Sequence, residues 1–360
     1  MDSERVETII IGAGITGAVI TYLTNATVLE KAKLEGGRCS SGRLPNSLKF
    51  DKGATMLKRD VSFSIQNKHG IFNLQTYLEK INKNIILNKI VNNDSMYLPQ
   101  NRMQSLVGIF LENSKKFYST KINGIQKDNN FWKVIVEDGT YFYSKNLVIT
   151  TPLPQALELI KETTNYKDWY SFTKPYSDYK QCLILAGLWE NRGSEISLER
   201  SISELNHGID MEYFTIESHK ISDSKDLVIS IQFGDKFSEK NFEDWENEKK
   251  DPSQFAHQMG NLYFKEIFSK YNLKYNPPNF LKSHKWKYTF PKHSLFNKDD
   301  SIDFDNSKFK DFLRLCNREN LWITGDWIFG QRVTKCILGA MYIGSILRKE
   351  PFQSVEDFLT

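Results

Sequence analysis

The chain has 360 residues, 40% of them apolar and 26% charged, and its 48 basic and 44 acidic residues leave a formal charge of +4. That is the profile of a folded globular protein with room for two domains. Its lysines form no basic stripe interleaved with aromatics, so a nucleic-acid partner is not expected.

In chain order, the polar start MDSERVE is unlike a signal peptide. No apolar run reaches the roughly 20 residues of a membrane span, and a cytoplasmic location is expected. Glu7 to Ile11 reads as a strand, Ile15 to Thr24 as a short helix, and Thr27 to Glu30 as a second strand. Farther on, Phe131 to Glu137 and Thr140 to Tyr143 flank Asp138-Gly139, a hairpin signal. Asn146 to Thr151 follows as a continuous apolar run suited to a strand buried on both faces. Cys182 to Trp189 and Leu227 to Phe233 read as strands, Pro252 to Tyr271 as a helix, Leu321 to Thr324 as a buried strand and Val333 to Leu347 as an apolar helix. Nucleotide-binding signals thus lie at both ends and in the middle. A discontinuous cofactor domain over 1–60, 95–165 and 290–360 is expected, interleaved with a substrate domain over 61–94 and 166–289.

Gly12-Ala13-Gly14-Ile15-Thr16-Gly17 is a GxGxxG between strand and helix. Its first glycine makes a tight turn, its second admits a pyrophosphate and its third lets helix and strand pack closely. The helix N-terminus then offers free N–H groups and a partial positive charge to phosphates. Glu30 closes the next strand, where its carboxylate can accept from a ribose diol, and it disfavours a 2′-phosphate; Lys31 follows. Gly36-Gly37-Arg38 brings backbone and guanidinium close to phosphates, with bidentate geometry available to Arg38. Gly53-Ala54, with Thr55 and Met56 after it, offers backbone that can lie against a flat ring. Thr151 and Pro152 end the middle strand, and crevices at strand C-termini are where such sheets bind ligands. Gly325-Asp326 ends the last strand, where Asp326 can accept from a ribityl chain, and Val333 opens a helix able to stabilise negative charge.

The segments IIIGAGITG, VLEKAKLEGGRCSSGR, FDKGATM, LVITTPLPQAL, HKWKY and TGDWIFGQRV together resemble the renalase-like branch of FAD-dependent, amine-oxidase-type flavoproteins. The resemblance implies an α/β fold in which a Rossmann-like FAD-binding domain is interleaved with a mixed α/β substrate domain. That is the two-domain architecture of p-hydroxybenzoate hydroxylase and the amine oxidases, with noncovalent FAD. It also implies roles: Thr16 and Arg38 at the pyrophosphate, Glu30 at the adenosine ribose, Ile122 at the adenine through its backbone, Thr55 and Met56 near the flavin, Asp326 on the ribityl chain, and Trp286 near the ring. Three departures stand out. Gly17 to Glu30 is about five residues short, Lys335 replaces a small residue, and Arg102 stands where relatives often have Gly.

Hydride chemistry at a flavin asks the protein only to orient a donor and tune the ring. No acid–base residue or metal site is therefore singled out, and the pocket candidates are Trp286, Tyr288 and Met56. Trp322 and Trp327 fit a pocket or a plain core equally. His207, His219, His257, His284 and His293 are scattered and read as surface or structural. Cys39, Cys182, Cys316 and Cys336 form no CxxC pair, which argues against zinc and against a disulfide framework. Cys336 is read as a buried thiol rather than a flavin attachment point.

The expected activity is an FAD oxidoreductase taking a hydride from a small organic donor. By resemblance this is an aberrant dihydro-NAD(P) isomer, with O2 reoxidising the flavin to give H2O2. An amine oxidase, a desaturase-like dehydrogenase and a flavin-binding protein without turnover stay open as alternatives, while Gly36-Gly37-Arg38 and Gly325-Asp326 disfavour a simple NAD dehydrogenase.

Overall fold

The computed structural model describes residues 5–58, 64–67, 70–73, 87–89, 96–99, 101–196, 202–203, 211–220, 224–245, 251–296 and 302–350. The chain begins with β1 (Arg5–Ile11), α1 (Ile15–Thr24) and β2 (Thr27–Leu29), then a hairpin of β3 (Ser41–Arg43) and β4 (Lys49–Asp51). Next come α2 (Met103–Phe110), β5 (Lys116–Phe117), β6 (Ile122–Asp128), β7 (Phe131–Val136), β8 (Tyr141–Ile149), α3 (Leu153–Ile160) and α4 (Tyr166–Thr173). A second group follows: β9 (Tyr179–Trp189), β10 (Ile202–Ser203), β11 (Met211–Ile216), β12 (Leu227–Phe233), α5 (Gln254–Lys270) and β13 (Phe280–Pro291). The chain then runs through α6 (Ser307–Glu319), β14 (Leu321–Ile323) and α7 (Val333–Arg348).

Among the described residues the first sheet has the order β5-β2-β1-β8-β7-β6, with β14 also paired to β8. Strands β1, β2, β5, β8 and β14 are parallel, and β6 and β7 add an antiparallel extension. The short first βαβ unit is accommodated at its helix. α1 has ten residues and exits through Asn25, at φ 52, directly into β2. An asparagine tolerates that left-handed cap at little cost, so no longer loop is needed.

One expectation is corrected. Thr140 to Tyr143 and Asn146 to Thr151 are not separate strands but one strand, β8, because Ser144 and Lys145 carry no turn chemistry. Its first half pairs antiparallel with β7 (Trp132 opposite Ser144), and its second half lies parallel between β1 and β14 (Leu147 opposite Ile9 and Leu321). The latter half is buried, as its unbroken apolar run requires.

The second sheet is antiparallel, in the order β10-β11-β12-β9-β13. Side chains alternate across it. Leu183, Leu185, Ile229 and Ile231 pack with Phe264, Ile267 and Phe268 of α5 on the outer face. Cys182, Ile184, Ala186, Leu188 and Val228 pack on the inner face with Leu44, Leu48 and Phe50 of the β3–β4 hairpin. The hairpin is therefore one apolar contact through which the two sheets meet, and Tyr179 of β9 and Tyr288 of β13, packed with the first core, form another. Of segment 61–94, only 64–67, 70–73 and 87–89 lie among the described residues.

Candidate functional site

Four parallel strands stop side by side. Beyond their last residues the cross-strand bonds continue: Gly12 N–H donates to Leu29 C=O (2.8 Å), Thr150 N–H to Ile11 C=O (2.9 Å) and Thr324 N–H to Ile149 C=O (2.9 Å). The glycine turn, Glu30, the Thr150–Thr151 exit and the Gly325-Asp326 turn consequently open on one edge of the sheet. This is the crevice in which open parallel sheets bind ligands.

The turn is tight where packing demands it and open where a ligand would approach. A Cβ on Gly17 would lie 2.1 Å from the Gly12 carbonyl oxygen, so helix and strand meet only because the residue is glycine. A Cβ on Gly14 would meet nothing within 4 Å. No side chain caps α1, which leaves the N–H groups around Ile15 and Thr16 for an anion. Glu30 is buried and stitches the turn together. Its Oε2 accepts from Ala13 N–H (2.8 Å) and its Oε1 from Ala32 N–H (2.7 Å). Each oxygen keeps a further lone pair for a diol. Lys31 beside it is exposed. Thr120 N–H donates to Glu30 C=O (2.8 Å), which brings Ile122, the first residue of β6, close to the end of β2.

Gly36 N–H donates to Ala13 C=O (2.8 Å), laying Gly36-Gly37-Arg38 against the glycine turn. The sequence assigns Arg38 and Asp326 to different parts of a cofactor, but the structure joins them in an ion pair. Arg38 Nη1 also donates to Thr289 C=O (2.7 Å), and the Tyr179 hydroxyl donates to Asp326 Oδ1 (3.0 Å). A chain Thr289–Arg38–Asp326–Tyr179 therefore crosses between the sheets. Burial opposes the charge on Arg38, yet Asp326 outweighs it and raises the guanidinium pKa above its usual value. Tyr179 is likewise raised, first by burial and then by the Asp326 carboxylate. Two thiols lie in the same surroundings. Burial pushes Cys39 and Cys336 up to about 12, so both are protonated and unreactive near neutral pH.

The segment after β4 is gripped from both sides. A Cβ on Gly53 would lie 2.1 Å from the Arg38 carbonyl oxygen, and Ala54 N–H donates to that same oxygen (2.9 Å). From the second sheet, Gln232 Nε2 donates to Gly53 C=O and Trp286 Nε1 to Lys52 C=O. The Oγ1 atoms of Thr55, Thr151 and Thr324 are buried without partners among the described residues. Met56 is half-buried, Tyr288 packs edge-on against Tyr179 at 5.9 Å, and Val333 opens α7, which no side chain caps. Trp322 and Trp327 belong to the first core.

Four buried ionisable groups escaped the sequence reading as a set. Lys220 Nζ contacts Asp51 Oδ2 at 2.6 Å and Glu217 Oε2 at 3.0 Å, and Arg102 Nη1 reaches Glu217 Oε2 at 3.0 Å. Burial raises the Asp51 pKa against the pull of Lys220. This quartet accounts for Arg102, which the resemblance marks as a departure. Arg102 has φ 102, a conformation suited to glycine, and its guanidinium holds a place in the buried charge cluster. Lys335 is fully buried on α7. His207 lies outside the described residues. Gln232, Tyr179 and His284 were missed as site residues. The legible signal was Ser230 and Gln232, polar at alternate positions of the otherwise apolar β12.

Residues 10–65 match the family of NAD(P)-binding Rossmann-like domains. No curated protein matches the chain. Among solved structures, similarity is found to a protein from Exiguobacterium sp. 255-15 provisionally assigned as a protoporphyrinogen oxidase (12% identity, TM-score 0.60, covering 97% of this chain and 100% of that one). Putrescine oxidase bound to putrescine is similar at 8% identity and TM-score 0.59, over 96% of this chain and 100% of its own. A fatty acid isomerase from P. acnes that produces CLA is similar at 13% identity and TM-score 0.56, over 97% and 98%. The chain thus has the two-domain α/β fold of the amine-oxidase-type structures, with a Rossmann-like dinucleotide domain. Identities this low establish that fold and leave the activity to the site. Among the described residues, no helix is long and apolar enough to cross a membrane.

Proposed function

We propose that the chain is an FAD-dependent oxidoreductase that takes a hydride from a small organic donor. The observation carrying this reading is the convergence at one sheet edge of an open glycine turn, an uncapped helix, Glu30 and unpartnered threonine hydroxyls. Those groups fit FAD. Gly14, Ile15, Thr16 and Gly17 would receive the pyrophosphate on backbone N–H groups, with Arg38 beside them. Glu30 would take the adenosine ribose and Asp326 the ribityl chain. Thr55 and Thr151 have free hydroxyls for the remaining polar edges, and Gly53-Ala54 presents backbone to the ring. The N-terminus of α7 at Val333 favours negative charge nearby.

When bound, the flavin supplies hydride acceptance, with O2 as the reoxidant giving H2O2. The chain's residues bind and orient. Tyr179 and Arg38 orient the Asp326 carboxylate through a hydrogen bond and an ion pair, while Gln232 and Trp286 fix the carbonyls of Gly53 and Lys52. The resemblance to renalase-like flavoproteins supports a dihydro-NAD(P) isomer as the donor and noncovalent attachment, and the burial of both nearby thiols fits the latter. The test is the visible spectrum of protein purified without added cofactor, before and after denaturation. A flavin spectrum released on denaturation is expected. A colourless protein that fails to take up added FAD overturns the reading.

A further inference from the structure

On the inner face of the second sheet, Gln232 of β12, Ile184 of β9 and His284 of β13 stand opposite one another in a single row. Trp286 occupies the next row, opposite Cys182. Two of these side chains, Gln232 and Trp286, reach across to Gly53 and Lys52. His284 does not. Its ring meets that of Trp286 edge-on at 4.7 Å, and both its nitrogens are buried without a hydrogen-bond partner among the described residues. The position is defined by the strand. Thr289, whose carbonyl accepts from Arg38, lies five residues along β13, so His284 stands about 17 Å along the strand from that contact.

We infer that His284 is a substrate-binding residue, taking an uncharged or anionic hydrogen-bonding group of the hydride donor and disfavouring a cationic amine. The inference rests on the functional reading above and names the substrate class of that same site. Leaving both imidazole nitrogens buried and unpaired is costly, and a ligand with a carbonyl, amide or hydroxyl group removes the cost. Discrimination by charge comes from the surroundings. Burial and then the Lys52 charge push the imidazole down to about 3, so it is neutral and the local field opposes a second cation. The carboxylates of Asp51 and Glu217 are taken up by Lys220 and Arg102. No acidic partner for an ammonium group contacts His284 among the described residues.

Three ligands with the same ring and different charge test this: benzamide, benzoate and benzylammonium, each titrated into FAD-loaded protein and followed by the shift in flavin absorption. Benzamide and benzoate are expected to bind at least about tenfold more tightly than benzylammonium. His284→Ala should weaken the first two about tenfold and leave FAD affinity unchanged, and His284→Gln, which keeps a neutral donor and acceptor, should restore most of the loss. Lys52→Gln should narrow the gap between benzamide and benzylammonium, a shift that a merely structural histidine would not produce. Tighter binding of benzylammonium, binding indifferent to His284→Ala, or no binding of any of the three overturns the inference and leaves the flavoenzyme reading intact. A chain that takes up no FAD overturns both.

Discussion

The strand-end crevice of the first sheet is made largely of backbone: a glycine turn, an uncapped helix and the N–H and C=O groups one residue past each strand. The inner face of the second sheet is made of side chains, with Gln232, His284 and Trp286 in adjoining rows and the Asp51–Lys220–Glu217–Arg102 quartet buried beside them. The first kind of surface has to match a ligand whose phosphates look alike in many proteins, and a few residue types suffice for it. The second has to match one substrate, and its groups are brought together from distant positions. A backbone cradle depends most on its glycines and on the few side chains, such as Glu30, that stitch it, whereas a side-chain cluster fails when any partner is removed.

The largest effect should come from the quartet. Lys220→Met would strand Asp51 as a buried carboxylate without its counter-charge, at a cost of about 3–5 kcal/mol in urea unfolding. Adding Asp51→Asn should recover much of that, and failure to recover would mean that the pair is not the cause. Next, Gly17→Ala places a methyl group 2.1 Å from the Gly12 carbonyl oxygen and should cost about 1–3 kcal/mol. It should also abolish FAD uptake, read by quenching of flavin fluorescence. Glu30→Gln keeps the size but weakens the charge-assisted bond from Ala13 N–H, at about 1–2 kcal/mol. FAD affinity should fall with it, while the benzamide preference of the second sheet in whatever flavin-loaded protein remains should not change.

The last effect is a slope with pH rather than a fixed loss. His284 is held at about 3 in the folded chain against an ordinary 6.5, so the unfolded chain binds the proton first as pH falls. Its contribution is therefore complete above about pH 6.5 and is lost progressively towards pH 3, at up to about 1.4 kcal/mol per pH unit. Unfolding midpoints of the wild type and His284→Gln measured from pH 7 to 5 should diverge by that slope. Parallel curves would show that the imidazole titrates normally.

Much of the crevice was legible in the residues. Gly12, Gly14, Gly17, Glu30, Gly53 and Asp326 lie in short motifs whose chemistry follows from neighbours in the chain, and the structure brings them to one edge. The second sheet was visible as strands but not as a surface. The histidines looked alike in the sequence, and only the pairing of β13 with β9 sets His284 apart. Arg102 read as a departure because its partner, Glu217, lies 115 residues away.

The sequence by itself determined the local devices: the turn, the short helix with its Asn25 exit, the buried parallel strands, and the alternation that gives each sheet its two faces. These follow from φ/ψ preferences and hydrophobic period, which act over a few residues. Tertiary structure alone decided that Arg38 meets Asp326, that Lys220 neutralises Asp51, and that an imidazole is left unpaired beside Trp286. Charge pairing and burial depend on distances between remote positions, and those distances exist only once the sheets have packed through the β3–β4 hairpin.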